Sequence, residues 1–159
     1  MTGFEIRPAG PMDAGAVGAI LSGFIDTTEW MPRIHTRAED LAHADMLIQR
    51  GWVTVATRNR KVCGFLARNG GVVHALYVHP TARSTGVGAM LLNDAKLASP
   101  ALELWTFEAN RGAQRFYERE GFELAEQTDG KGNDEGLPDR RYVWSATSAE
   151  AAKQTERTA

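Results

Sequence analysis

Apolar residues recur along the chain in two rhythms, one close to four residues and one of two, and the switches between them lay out the elements. "FEIRPA" alternates briefly and predicts a first strand. From Pro11 to Phe24, the residues Met12, Val17, Ile20, Leu21 and Phe24 fall at helical spacing and predict a first helix. "TTEWMPRIH" breaks that pattern, with Pro32 as the breaker. Thr36 and Glu39 form a T-x-x-E capping box, which predicts a second helix from about Arg37 to Arg50, stopped by Gly51.

Three strand-like runs follow, "WVTVATR", "KVCGFLAR" and "VVHALYV", separated only by "NR" and "NGG". Connections this short make hairpins, so these strands are expected to be antiparallel neighbours. A helix ending near Ser99 comes next, then the strand "LELWTF", the helix "NRGAQRFYERE" closed by Gly121, and the strand "FELAEQ". "TDGKGNDEGLPD" is a polar, glycine-rich loop before a last strand, "RRYVWS". The order β-α-α-β-β-β-α-β-α-β-β describes an α+β fold: a mixed, mostly antiparallel central sheet with an antiparallel half followed by a β-α-β crossover. No repeat and no boundary interrupts it, which predicts one domain over residues 1–146. The stretch 147–159 has no apolar face and reads as a flexible tail.

Composition narrows the function classes. The chain has 159 residues, 43% of them hydrophobic and 24% charged, with a net charge of −2. That balance, with no run of Lys or Arg, speaks against a nucleic-acid partner. The apolar stretches are too short to span a bilayer, and the N-terminal residues lack a signal-peptide pattern, so the expectation is a cytoplasmic protein with no membrane partner. Cys63 is the single cysteine and reads as a buried structural thiol in "VCGFLA". No His, Asp and Glu are spaced as metal ligands, so no metal is expected.

The chemistry concentrates at "ARSTGVGAMLL", residues 82 to 92, between the strand "VVHALYV" and the following helix. Glycines are poor helix formers, so Gly86 and Gly88 serve something other than helix stability. One reading is a loop that needs positive φ at both. The other is a close approach of backbone N–H groups to a ligand. A helix N-terminus presents unpaired N–H groups and partial positive charge, and Arg83 adds a charge-assisted contact, so the turn is shaped for a pyrophosphate. It is not a P-loop, because G-x-x-x-x-G-K-[ST] is absent. It is not the dinucleotide fingerprint either, since the preceding strands are antiparallel and position 91 is leucine.

Arg83-Ser84-Thr85-Gly86-Val87-Gly88, preceded by "LYVHP" and followed by "AMLL", resembles the acyl-CoA-binding motif of the GCN5-related N-acetyltransferases (GNAT). "LWTFEANRGAQRFYEREGFE", residues 104 to 123, resembles that family's closing segment through Asn110, Phe116, Tyr117, Gly121 and Phe122. The resemblance covers roughly residues 4 to 145. It implies a GNAT-like sheet with helices on both faces and acetyl-CoA as co-substrate, without a metal. In the family, the strand before the pyrophosphate turn splays from its parallel neighbour and hydrogen-bonds the pantetheine arm, a role that falls here on Leu76, Tyr77 and Val78. The amides from Arg83 to Gly88 would hold the pyrophosphate. Asn110 would bind the cofactor arm or cap the next helix, or do both. Tyr117 matches the tyrosine beside the cofactor sulfur, where a phenol can protonate the leaving thiolate; read without the family, it is a core aromatic beside Phe116. The Val78 N–H would polarise the thioester carbonyl.

An attacking amine must first lose a proton. Some family members place a glutamate five residues before the asparagine; here that position is Trp105, so no carboxylate base can act there. Glu103 shares the face of Trp105 and would act through water or stay a partly exposed sheet residue. Glu108, His43, His74 and His79 suggest no catalytic role. Between the first two helices, where the family builds part of its acceptor pocket, Trp30 and Met31 would line a wall, with Glu29 or His35 addressing the amine; His35 has a suitable ordinary pKa but also sits where a histidine braces a helix start. Trp30, Trp105, Tyr142 and Trp144 form an aromatic pocket or only core. Asp134, Glu135 and Asp139 in the polar loop would meet a cation or remain solvated. The implied reaction is acetyl transfer to a primary amine of a small molecule or peptide by direct attack. The alternatives are a non-catalytic acyl-CoA-binding sensor of the same fold, or transfer of a longer acyl chain or to an alcohol. Pairing as a homodimer, common in the family, rests on the resemblance alone.

Overall fold

The computed structural model describes residues 3–147, and its elements come in the predicted order. They are β1 (Phe4–Pro8), α1 (Ala14–Thr27), α2 (Arg37–Gln49), β2 (Val53–Arg58), β3 (Lys61–Asn69), β4 (Val72–Val78), α3 (Val87–Ala98), β5 (Ala101–Phe107), α4 (Arg111–Arg119), β6 (Glu123–Thr128) and β7 (Asp139–Ser145). Short 3₁₀ turns at Pro11–Asp13 and Pro80–Ala82 lead towards α1 and α3. The seven strands run in the order β1-β2-β3-β4-β5-β7-β6. The registers β1/β2, β2/β3, β5/β7 and β6/β7 are antiparallel, and β4/β5 is parallel at Val72↔Glu103. The flexible tail expected over 147–159 lies, from residue 148 on, outside the described residues.

The chain forms two compact units. The first comprises residues up to Asn69 and Val73–Asp94. Its main core joins Val17 and Ile20 of α1 to Ala44, Leu47 and Ile48 of α2 and to Val53, Val55, Phe65 and Ala67 of β2 and β3. The two helices cross closely because Gly18 has no side chain; a Cβ there would lie 3.0 Å from the Leu41 Cα. Side chains alternate along a strand, so Gly64 faces away from Phe65 and that core. A Cβ on Gly64 would come within 3.1 Å of Val87 and 3.4 Å of Leu91, so α3 packs on the opposite face of β3 from α1 and α2. β3 is therefore buried on both sides, which explains its nearly unbroken apolar run.

The capping box of α2 forms as predicted: Glu39 N–H donates to Thr36 Oγ1 at 3.1 Å, and Thr36 N–H donates to Glu39 Oε1 at 3.0 Å. Gly51 ends that helix with φ of +76°. The start of α1 differs from the expectation. The helical spacing puts Met12 on the apolar stripe, yet it is 98% exposed. Asp13 takes the inner position instead, accepting from Gly10 N–H at 2.7 Å and from the Arg7 guanidinium at 2.7 and 3.0 Å. The tighter 3₁₀ turn and this ion pair rotate Met12 outwards.

The second unit comprises Gly70–Val72 and the chain from Ala95 onwards. In β5 and β7 the pairs Leu102↔Trp144 and Leu104↔Tyr142 lie on one face, and Glu103↔Val143 and Trp105↔Arg141 on the other. Leu102, Leu104, Tyr142, Phe122 and Tyr117 are buried together with Gln114 of α4. Backbones approach closely where β5 begins: Glu103 N–H donates to Gly71 C=O at 2.8 Å, and a Cβ on Gly71 would lie 2.7 Å from the Ala101 carbonyl oxygen.

Candidate active site

The turn from β4 into α3 is built by backbone conformation more than by side chains. His79 caps the 3₁₀ turn, its Nδ1 accepting from Thr81 N–H at 3.1 Å, and Thr85 Oγ1 donates to the Ala82 carbonyl. Ser84 and Gly86 are both left-handed, with φ of +62° and +91°. The expectation of positive φ at Gly86 and Gly88 therefore holds only for Gly86; Gly88 lies in the first turn of α3, and Ser84 takes the second left-handed position. Serine tolerates that region poorly, so no sequence signal marks it. The first bond of the helical ladder runs from Met90 N–H to Gly86 C=O at 3.0 Å. The N–H groups of Val87, Gly88 and Ala89 thus precede the ladder and point out of the helix start. A Cβ on Gly86 would meet no heavy atom within 4 Å, and the Arg83 side chain is exposed. The turn can therefore receive an anionic group without moving any packed side chain.

Leu76, Tyr77 and Val78 form the end of β4 and are half-buried. The Tyr77 ring packs 4.9 Å from Phe24 and 5.8 Å from Phe65, fixing this strand end against α1 and β3. Phe24 also meets Trp30 edge-on at 6.2 Å, which joins the α1–α2 connection to the same aromatic group. That connection is held by a hub the sequence did not reveal. Arg33 Nε donates to Asp26 at 2.8 Å, its Nη1 to Asp40 at 3.0 Å and to the His35 carbonyl at 2.9 Å, and its Nη2 to the Ser22 carbonyl at 3.2 Å. Asp40 is buried and also accepts from Ser22 Oγ. Hydrogen bonds from Arg33, then the charges of Arg33 and Arg37, hold the Asp26 carboxyl below the usual carboxylate range. Charge at wide spacing gives no periodic signal, so such a hub is illegible before folding. Glu29 and His35 are exposed, and His35 Nδ1 stands 3.6 Å from Glu39.

In the second unit, Asn110 caps α4, its Oδ1 accepting from Ala113 N–H at 3.1 Å. Tyr117 is 8% exposed, with Phe116 at 5.2 Å, Phe122 at 5.6 Å and Tyr142 at 6.3 Å between ring centroids. It is thus the core aromatic that one reading described, on the helix that the other requires. Trp105 is 45% exposed, so it is a surface tryptophan of its own unit and not part of that core. Glu103 lies 3.3 Å from the Arg141 guanidinium, which also binds Glu126 at 3.3 Å. Asp139 accepts from Thr128 Oγ1 and, at 3.3 Å, from Asn133 Nδ2, so its carboxylate shapes the β6–β7 loop. Burial raises the Tyr142 hydroxyl and the Cys63 thiol above their ordinary pKa values, consistent with structural roles for both.

Residues 49–124 match the acetyltransferase (GNAT) domain. The peptidyl-lysine N-acetyltransferase YjaB of Escherichia coli (strain K12) is 32% identical over 94 residues, which is 59% of this chain and 63% of that protein. The chain thus spans just under two thirds of that relative's length. The solution structure of apo-form YjaB from Escherichia coli superposes with a TM-score of 0.74 at 23% identity, covering 89% of this chain and 97% of that one. The structure of yncA from Salmonella typhimurium with its cofactor acetyl-CoA does so with a TM-score of 0.71 at 22% identity, covering 89% and 93%. The domain match contains the β4–α3 turn and α4 with its closing Gly-Phe pair, and the fold is shared with these structures: residues 49–124 are similar to the GCN5-related N-acetyltransferase domain, and the chain has the fold of these acetyltransferase structures.

Proposed function

We propose that the protein is an acyl-CoA-dependent N-acyltransferase that moves acetyl from acetyl-CoA to a primary amine by direct attack. The observation that carries this reading is the β4–α3 turn, where two left-handed residues feed directly into the free N–H groups of a helix start. The names of the relatives support it: one is a peptidyl-lysine N-acetyltransferase, and one solved neighbour holds acetyl-CoA.

In this reading the amides from Arg83 to Gly88 bind the pyrophosphate, and the exposed Arg83 guanidinium adds charge. Leu76, Tyr77 and Val78 offer backbone groups to the pantetheine arm, with Val78 N–H directed at the acyl carbonyl. Acetyl-CoA supplies the activated acyl group. Asn110 positions the cofactor arm with the groups its helix cap leaves available. The Tyr117 hydroxyl gives its proton to the departing sulfur, and the apolar rings around it exclude water that would compete for the acyl group. Deprotonation of the amine falls to Glu29 or His35 at the α1–α2 connection, because Trp105 carries no proton-accepting group and Glu103 is engaged by Arg141. Trp30 and Trp105 supply apolar contacts to the acceptor.

The acceptor we favour is a lysine side chain in a peptide, by analogy with the peptidyl-lysine relative. Release of free thiol from acetyl-CoA, followed with lysine-containing peptides and with small primary amines, tests this. Turnover with peptides that disappears when their lysines are blocked supports it. Acetyl-CoA binding without thiol release for any amine in the panel would favour the non-catalytic acyl-CoA-binding alternative, to which the absence of a carboxylate at position 105 gives some weight.

A further inference from the structure

Beside α4, on the flank formed by positions 111, 115 and 118, the second unit holds a cleft of about 560 Å³. Glu108, Arg111, Gln114, Arg115, Glu118 and Arg140 line it. Its volume is that of a small-molecule site. Arg111 and Arg115 stand one helical turn apart, an arrangement of like charges that weakens a helix unless something offsets it. Both are exposed, and among the described residues neither joins an ion pair.

Arg140 faces them from β7 and has too few acceptors for its five N–H donors. Its Nη1 donates to Gln114 Oε1 at 3.1 Å, its Nη2 lies 3.9 Å from Glu108 Oε1, and its buried Nε has no hydrogen-bond partner among the described residues. Gln114 is fixed for this contact, since its Nε2 donates to the carbonyls of Phe107 at 3.1 Å and Glu108 at 2.7 Å. Of the two rim carboxylates, Glu118 accepts from the Tyr142 hydroxyl at 3.3 Å, and Glu108 is half exposed. Three guanidiniums against two carboxylates leave one positive charge uncompensated, in a molecule whose net charge is −2.

We propose that this cleft binds the oxyanion of a small ligand, a phosphate or a carboxylate group, held by Arg111, Arg115 and the outer nitrogens of Arg140. Planar guanidiniums match the paired oxygens of either group. The site goes beyond the acyl-CoA reading, which assigns pyrophosphate to the β4–α3 turn, and it does not depend on that reading.

Inorganic phosphate and succinate are titrated separately into ¹⁵N-labelled full-length protein, with and without saturating coenzyme A, reading the arginine side-chain N–H signals and the amides of residues 111–115. Saturable shifts there, with a Kd of about a millimolar or tighter, support the site. So does a loss of about tenfold or more in Arg111→Gln/Arg115→Gln but not in the charge control Arg60→Gln/Arg119→Gln. The stronger of the two probes identifies the ligand group. No saturable shift with either probe, or equal binding by the double variant, overturns the proposal. Competition from coenzyme A at these signals also overturns it, by giving the cleft to the cofactor's own phosphates. Failure of coenzyme A to bind would count against the acyl-CoA reading alone and leave the phosphate and succinate titrations decisive here.

Discussion

Gly86 and Tyr117 carry different kinds of constraint, and substitutions separate them. At Gly86 the constraint is backbone conformation: φ is +91° and no neighbour would obstruct a Cβ. Gly86→Ala is expected to cost about 1 kcal/mol of stability through strain alone, read as a lowered urea midpoint with an unchanged slope. It should also weaken acetyl-CoA binding; unchanged affinity would mean that the turn does not hold the cofactor. At Tyr117 the constraint is chemistry on top of packing. Tyr117→Phe keeps the ring among Phe116, Phe122 and Tyr142, so the fold should survive. The expected result is a fall in kcat of roughly tenfold to a hundredfold with cofactor Kd unchanged, at the modest end for acid catalysis because a thiolate leaves readily. Equal turnover would remove Tyr117 from the acid role and leave it a core residue.

At the scale of elements, the faces of β3 and the start of α1 give the sharpest tests. Gly64 admits α3 against β3, with Val87 and the Tyr77 carbonyl oxygen 3.1 and 3.3 Å from where a Cβ would sit. Gly64→Ala should destabilise by roughly 1–3 kcal/mol as an overpacked site, measured by denaturant unfolding; a stabilised variant would show that α3 packs more loosely than described. Arg7 and Asp13 pin the first turn before α1. The hydrogen bond from Arg7 holds the Asp13 carboxyl below its ordinary value of 3.8. A depressed folded-state pKa contributes stability that is present above that ordinary value and lost as pH falls through the depressed one. Asp13→Asn should therefore cost about 1 kcal/mol near neutral pH, where the partly exposed Arg7 is screened by solvent, and the gap to the wild type should close as the pH falls through the depressed Asp13 value. A gap independent of pH would assign the effect to packing. These elements were largely readable beforehand. The Thr36–Glu39 box, Pro32, Gly51 and Gly121 mark boundaries by local rules, and local rules survive folding. Met12, Ser84 and Arg33 were not readable, because the first two answer to a tight turn and the third to partners spread over residues 22 to 40.

For the molecule as a whole, the similarity to the GNAT domain and the seven-stranded mixed sheet followed from element order together with two motifs at their proper places in it. The division into two compact units was not visible in the sequence, since it passes after Val72 inside β4 and after Asp94 inside α3, where neither composition nor a linker marks it. The candidate site was legible as a motif at residues 83–88 and 110–122, while the proton acceptor was not, because it depends on exposed side chains of the α1–α2 connection that no spacing rule singles out. The measurement that bears most directly on the central claim is calorimetric titration of the protein with acetyl-CoA, alongside Gly86→Trp. The account predicts binding in the micromolar range, about −8 kcal/mol, lost in a variant that remains folded. Absence of binding to the intact protein, or equal binding by Gly86→Trp, would contradict it.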